Sequence, residues 1–135
     1  MIKGIAHACF IVNDLDISIQ FYCGILGMKT AFDYVNDEGK RFGAYLHAGE
    51  RNFLELFERS HGNRAENQSY QHLSLEVTDI RKMVENIRAG GIETSEIGRG
   101  KDRSWGVKFQ DPDGNIVELQ EYTEESKQEA WLRKS

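Results

Sequence analysis

The sequence predicts an α+β fold: two βαβββ modules whose strands form a curved mixed sheet, followed by a C-terminal helix. Three observations carry this. Most short hydrophobic runs alternate apolar with polar residues, the period of a half-buried strand. Each half of the chain holds one run with helical spacing after its first strand. The halves also repeat. An offset of 65 pairs His7 with His72, Val12 with Val77 and Asp14 with Asp79. An offset of 63 aligns NFLEL (Asn52 to Leu56) with NIVEL (Asn115 to Leu119), and so Glu55 with Glu118. A unit of about 60 residues present only twice is too long for a solenoid repeat and reads as a duplicated module.

Taken in order, residues 3–12 read as a strand. Asp14 is the expected N-cap of a helix running to about Leu26, with Leu15, Ile19, Tyr22 and Leu26 on one face and Gly27 ending it. Strands are expected over 28–35, 42–48 and 52–57, the first two joined by a hairpin loop with Gly39 at the tight position. Residues 59–69 are polar and aperiodic and read as a linker. The second module starts with a strand over 70–77, then a helix capped at Thr78 or Asp79 and ended by Gly90-Gly91. Strands follow over 92–97, 105–110 and 115–122, with a charged loop over 98–104. Asp111-Pro112-Asp113-Gly114 has the residues of a tight turn, since Pro presets φ and Gly accepts a positive one. Residues 123–133 read as a terminal amphipathic helix, acidic at its start and basic at its end. The 135 residues thus make one domain of two modules, at about 1–58 and 70–122, plus the helix at 123–133.

Composition narrows the function classes. The chain is 39% hydrophobic, and no apolar run approaches the ~20 residues of a membrane span. Asn13, Asp14 and Asp16 interrupt the first hydrophobic stretch, so a cytoplasmic protein is expected. A net charge of −5 and scattered basic residues argue against nucleic acid or an anionic membrane as partner. Cys9 and Cys23 lack metal-binding spacing and read as small buried hydrophobes.

Strand alternation then sorts the side chains. One face collects Phe10, Val12, Leu54, Leu56, Leu73, Leu75, Val117 and Leu119, suited to packing against helices. The other collects His7, Cys9, Phe53, Glu55, Phe57, His72, Ser74, Glu76, Glu118 and Gln120. A carboxylate on such a face is costly unless paired or bound to metal. Two His and two Glu at duplicated positions make a metal site, and imidazole with carboxylate suits Zn²⁺, Ni²⁺, Co²⁺, Fe²⁺ or Mn²⁺. His47 and His61 stand outside the repeat and read as a turn residue and a linker residue.

From His7 to Tyr122 the chain resembles the vicinal oxygen chelate superfamily, which pairs two βαβββ modules around a metal-lined cup. The resemblance rests most specifically on DLDISIQFYCGILGM (Asp14 to Met28), NFLELF and FQDPDGNIVELQ. It implies His7, Glu55, His72 and Glu118 as ligands of one divalent metal ion, and this His-Glu-His-Glu set is similar to that of bacterial glyoxalase I, lactoylglutathione lyase. The nickel- or cobalt-dependent enzymes of that group carry Arg four residues after the first ligand His and Asn four residues after the first Glu, to hold glutathione. Here those positions are Ile11 and Arg59.

The resemblance implies a glyoxalase I-type lyase or isomerase, transferring a proton next to a carbonyl through a metal-bound enediolate. Glu118 or Glu55 is the catalytic carboxylate, with Phe53, Phe57, Arg103 and Trp105 as candidate substrate-binding residues. A small molecule is the expected substrate and a homodimer the expected assembly, with the site either within one chain or shared across the pair. The alternatives are a metal-dependent dioxygenase or thiol transferase on the same scaffold, or a non-enzymatic small-molecule binding or resistance protein.

Overall fold

The structure is a computed structural model describing residues 1–135. The chain divides into two compact units, Met1–Asn63 and Arg64–Ser135, each built around one four-stranded mixed sheet. In the first, β1 (His7–Val12) leads into α1 (Leu15–Ile19), followed by β2 (Lys29–Val35), β3 (Arg41–His47) and β4 (Phe53–Glu58), with strand order β1-β4-β3-β2. In the second, β5 (His72–Glu76) leads into α2 (Ile80–Ala89), followed by β6 (Gly98–Arg99), β7 (Trp105–Gln110) and β8 (Ile116–Glu121), with order β5-β8-β7-β6. In each unit the first and last strands are parallel and the other pairings antiparallel. These are the two βαβββ modules of the sequence reading.

Each core forms on one sheet face. Phe10, Val12, Ala44, Leu46, Leu54 and Leu56 are buried, together with Leu15, Phe21 and Tyr22 of the helical segment. The second unit repeats this with Val107, Phe109, Val117 and Leu119 and the α2 residues Ile80, Val84 and Ile87. A fully buried Leu or Val stabilises by about 1.5–3 kcal/mol, so these positions hold the register of the strands.

Both helices begin in the same way. Asp14 Oδ1 accepts the amide of Ile17, and Asp79 Oδ1 accepts that of Lys82, each at 3.1 Å. A second carboxylate completes each cap. Glu58 Oε2 accepts the Leu15 amide at 2.8 Å, and Glu121 Oε1 accepts the Ile80 amide at 3.1 Å. Both come from the last strand of their module, so they tie helix to sheet while satisfying orphan N–H groups.

Four elements differ from the sequence reading. The first strand begins at His7, not residue 3, because its ladder starts at the His7–Phe53 pair. The first helix is α-helical only to Ile19 and widens to a π-turn over Gln20–Ile25. The wider turn narrows the angular step between neighbours, and Phe21 and Tyr22 both end buried, their rings edge to face at 4.9 Å. No strand forms over 92–97. Only Thr94 bridges to Phe109, and the Lys108 amide donates to the Ser95 hydroxyl at 2.9 Å, a side-chain oxygen standing where a ladder carbonyl would. The 98–104 segment instead supplies β6 before its turn. The terminal helix, α3 (Lys127–Leu132), is also shorter than read. Ser126 Oγ accepts the Thr123 amide at 2.8 Å and the Ser104 hydroxyl at 2.9 Å, a local arrangement that competes with helix.

Gly43 on β3 fits tightly. A Cβ there would lie 2.7 Å from the Leu56 carbonyl, 2.8 Å from the Phe57 ring and 3.1 Å from the Tyr34 ring. At the repeat position Gly106, the nearest atoms are the Leu119 carbonyl at 3.8 Å and Glu118 Oε2 at 4.0 Å. Gly43→Ala is expected to lose about 1–3 kcal/mol through overpacking. Gly106→Ala is expected to lose less, and denaturant unfolding of the two variants checks the difference.

Candidate metal centre

Parallel pairing aligns the candidate ligands. In the first unit Cys9 pairs with Glu55 and His7 with Phe53, so His7 and Glu55 lie two ladder steps apart on one face. His7 Nε2 stands 3.7 Å from Glu55 Oε1. In the second unit Ser74 pairs with Glu118 and His72 with Ile116, and His72 Nε2 again stands 3.7 Å from Glu118 Oε1. The imidazoles are 39% and 26% exposed, the carboxylates only 15% and 16%. Within neither unit do three His, Cys, Asp or Glu side chains gather. Each unit brings together one imidazole and one carboxylate.

The donor chemistry of each pair fits a metal ion. A separation of 3.7 Å is too long for a hydrogen bond. Two donors about 2.1 Å from a tetrahedral ion stand about 3.4 Å apart, so each pair is near that spacing. The remote imidazole nitrogens are engaged. His72 Nδ1 donates to Gln71 Oε1 at 2.8 Å, the tautomer that leaves a lone pair on Nε2. The Tyr45 hydroxyl lies 3.0 Å from His7 Nδ1 and can accept from it in the same sense.

The two carboxylates are held differently. Tyr34 donates its phenolic O–H to Glu55 Oε2 at 2.8 Å, while Oε1 faces His7. Ser74 donates to Glu118 Oε1 at 3.0 Å, the same oxygen that faces His72. Glu118 Oε2 therefore lies outside both interactions. The hydrogen bond to Glu55, and the negative charge behind it, push the Tyr34 phenol above its ordinary value. Cys9 is exposed on this same face, correcting its reading as a buried hydrophobe, and Cys23 is half-buried. The Cys9 thiol is raised by partial desolvation first and then by its hydrogen bond to Glu55.

The substrate-binding candidates are distributed unevenly. Phe53 pairs in register with His7, and Phe57 lies four residues further along β4 on the same face. Trp105 lies on the opposite face from Glu118, the face it shares with Val107 and Phe109, and the Arg99 guanidinium covers its ring at 5.4 Å. Arg103 acts through its backbone. It holds φ +67° in the turn before β7, and its carbonyl accepts from Arg99 Nε at 3.2 Å. Alternation along β7 thus sets Trp105 off the face of His72 and Glu118, and Arg103 lies in the turn before the strand. His47 bonds the Glu50 carbonyl at 2.9 Å beside its turn. Periodicity along single strands does not single out Tyr34 and Tyr45, although both share their face with Glu55 once β2 and β3 are aligned. An open surface depression at the end of β8, lined by Asp102, Tyr122, Lys127, Gln128, Trp131 and Leu132, is also not legible in the sequence.

Residues 4–119 match the model of the Glyoxalase/Bleomycin resistance protein/Dioxygenase superfamily. The chain belongs to this superfamily. It is 33% identical over 121 residues to a probable lactoylglutathione lyase of Vibrio cholerae, covering 85% of this chain and 88% of that one. It is 34% identical over 119 residues to a lactoylglutathione lyase of Salmonella typhimurium, covering 84% and 88%. Among solved structures, a glyoxalase family protein from Enterococcus faecalis superposes with a TM-score of 0.75 at 24% identity, covering 87% of this chain and 97% of that one. That likeness is one of fold.

The Tyr34–Glu55 bond has a spectroscopic consequence. In a tyrosinate absorbance titration, Tyr34→Phe is expected to remove one component titrating above the ordinary tyrosine range. Glu55→Gln is expected to move that component down, because ionising Tyr34 then no longer sets two negative charges side by side.

Proposed function

We propose that the protein is a metal-dependent lyase or isomerase of glyoxalase I type, with His7, Glu55, His72 and Glu118 holding one divalent ion. The observation that carries the reading is the duplicated imidazole–carboxylate pair, at the same 3.7 Å separation in both modules, each imidazole with its Nδ1 engaged. Homologues named lactoylglutathione lyase support the reaction class. When bound, the ion would act as a Lewis acid that stabilises negative charge developing on substrate oxygen. Nickel, cobalt or zinc suit the donor set best, with iron or manganese also compatible. A homodimer is the proposed assembly, and a cytoplasmic location goes with the reading. No helix is long and apolar enough to cross a membrane.

The residues divide the work. Glu55 Oε1 faces His7 across 3.7 Å, and Oε2 accepts from the Tyr34 hydroxyl. Glu118 has one oxygen fixed by Ser74, and Oε2 remains to take a proton from the carbon next to the carbonyl and return it to the adjacent carbon. No net proton is gained or lost in this transfer, so the step is an isomerisation.

The test is turnover of the methylglyoxal–glutathione hemithioacetal by metal-stripped protein reloaded separately with Ni²⁺, Co²⁺ and Zn²⁺. Metal-restored turnover is the expected result. Metal uptake without turnover would retain the site and reject this substrate, and absence of uptake would reject the site. In active protein, Glu118→Gln is expected to cut turnover by ~10²–10⁴-fold, the usual worth of a general base. Full turnover in that variant, with metal content unchanged, would exclude Glu118 as the proton carrier.

A further inference from the structure

Building on the metal-centre reading, we infer that the first unit carries an aromatic bed beside His7 and Glu55, and that the substrate bears a flat aryl group next to its chelating oxygens. Six rings form the bed. Phe32 stacks on Tyr45 at 4.8 Å, and Tyr45 meets Phe53 at 5.1 Å. Tyr34 stacks on Phe57 at 5.2 Å, and Phe42 stacks on both Tyr34 at 5.9 Å and Phe57 at 6.1 Å. The two groups meet where Phe32 abuts Tyr34 edge to face at 5.5 Å.

The bed is continuous with the candidate ligands. The Tyr34 hydroxyl donates to Glu55 and the Tyr45 hydroxyl bonds His7, so the rings that fix those side chains are themselves part of it. Gly43 leaves the space in which the Tyr34 and Phe57 rings approach its strand. Much of the apolar surface stays open, with Phe32 at 49% and Phe42 at 40% exposure. Rings exposed together beside polar groups that converge on one point have the make-up of a ligand site.

The bed is flanked by both apolar and charged groups, with the Arg59 guanidinium near enough to Cys9 to act on its thiol. On β1 the next position on this face after Cys9 is Ile11. The Arg41 guanidinium is paired with Asp16 and Asp33. In the second module the repeat sets Lys108, Ile116 and Gln120 where the first has Tyr45, Phe53 and Phe57. Trp105 keeps an aromatic at the Phe42 position, so it is the stacked set of six rings that belongs to the first module. A ring laid on such a bed gains stacking contacts beyond its buried area.

Benzohydroxamate and acetohydroxamate test this. Both offer vicinal oxygens to a metal, and only the first carries a ring. Calorimetric titration of the intact protein, with and without Zn²⁺, is expected to show benzohydroxamate binding at least tenfold tighter to the metal-loaded form, with the ratio falling severalfold in Phe32→Ala. Equal affinities would overturn the bed while leaving the metal centre standing. A ring preference that does not depend on metal would keep the bed and reject the metal centre, and failure of both probes to bind would reject both. An unchanged ratio in Phe32→Ala would overturn the bed. If sedimentation also showed that variant dissociating from dimer to monomer, the rings would be a contact between copies of the chain.

Discussion

The parallel pairing of the first and last strand in each module is the constraint on which the candidate site depends. It sets His7 beside the Glu55 strand and His72 beside the Glu118 strand in the same relation, two ladder steps apart on one face. A slip of one residue would turn each Glu into the core and each adjoining Leu or Val out of it. Leu54, Leu56, Val117 and Leu119 are almost completely buried, so that exchange would both expose apolar surface and bury an unpaired carboxylate. The core that stabilises each module also fixes its imidazole–carboxylate spacing.

Helix attachment reinforces that register. Glu58 and Glu121 follow the candidate carboxylates by three residues on the same strands and reach the first amides of α1 and α2. Along each strand one Glu faces the site and another serves the helix on the core side, the direction of each set by alternation. The tight turn before β8 adds to this. Asp111 is buried, and its carboxylate accepts the amides of Asp113 and Asn115 at 2.9 and 2.8 Å, which fixes the entry of the strand that carries Glu118.

On this duplicated frame the neighbours are not duplicated. Two phenols hold the first pair, and a serine and a glutamine side chain hold the second. The backbone symmetry therefore produces two chemically distinct carboxylates: on Glu55 the oxygen turned away from the imidazole is hydrogen-bonded, and on Glu118 the oxygen that faces it. Membership of a superfamily whose own description spans glyoxalases, bleomycin resistance proteins and dioxygenases fixes the scaffold without fixing a substrate. Substrate choice has to be sought in the side chains that differ between modules.

The sequence by itself determined the two modules, the element order and the faces that carry His7, Glu55, His72 and Glu118. These follow from local periodicity and an internal repeat, and neither needs knowledge of distant contacts. Phe53 and Phe57 were legible for the same reason, whereas Trp105 was read by its nearness in sequence to the last hairpin and lies on the opposite face. The missing strand over 92–97 and the shortened C-terminal helix were not legible, because serine hydroxyls took over backbone partners that propensity alone assigns to strand or helix. Nor were the bonds from Tyr34 and Tyr45, since these depend on how β2 and β3 align against β4. Alternation gives a residue's face along one strand. Only the packed sheet decides which side chains on that face lie within hydrogen-bonding reach of one another.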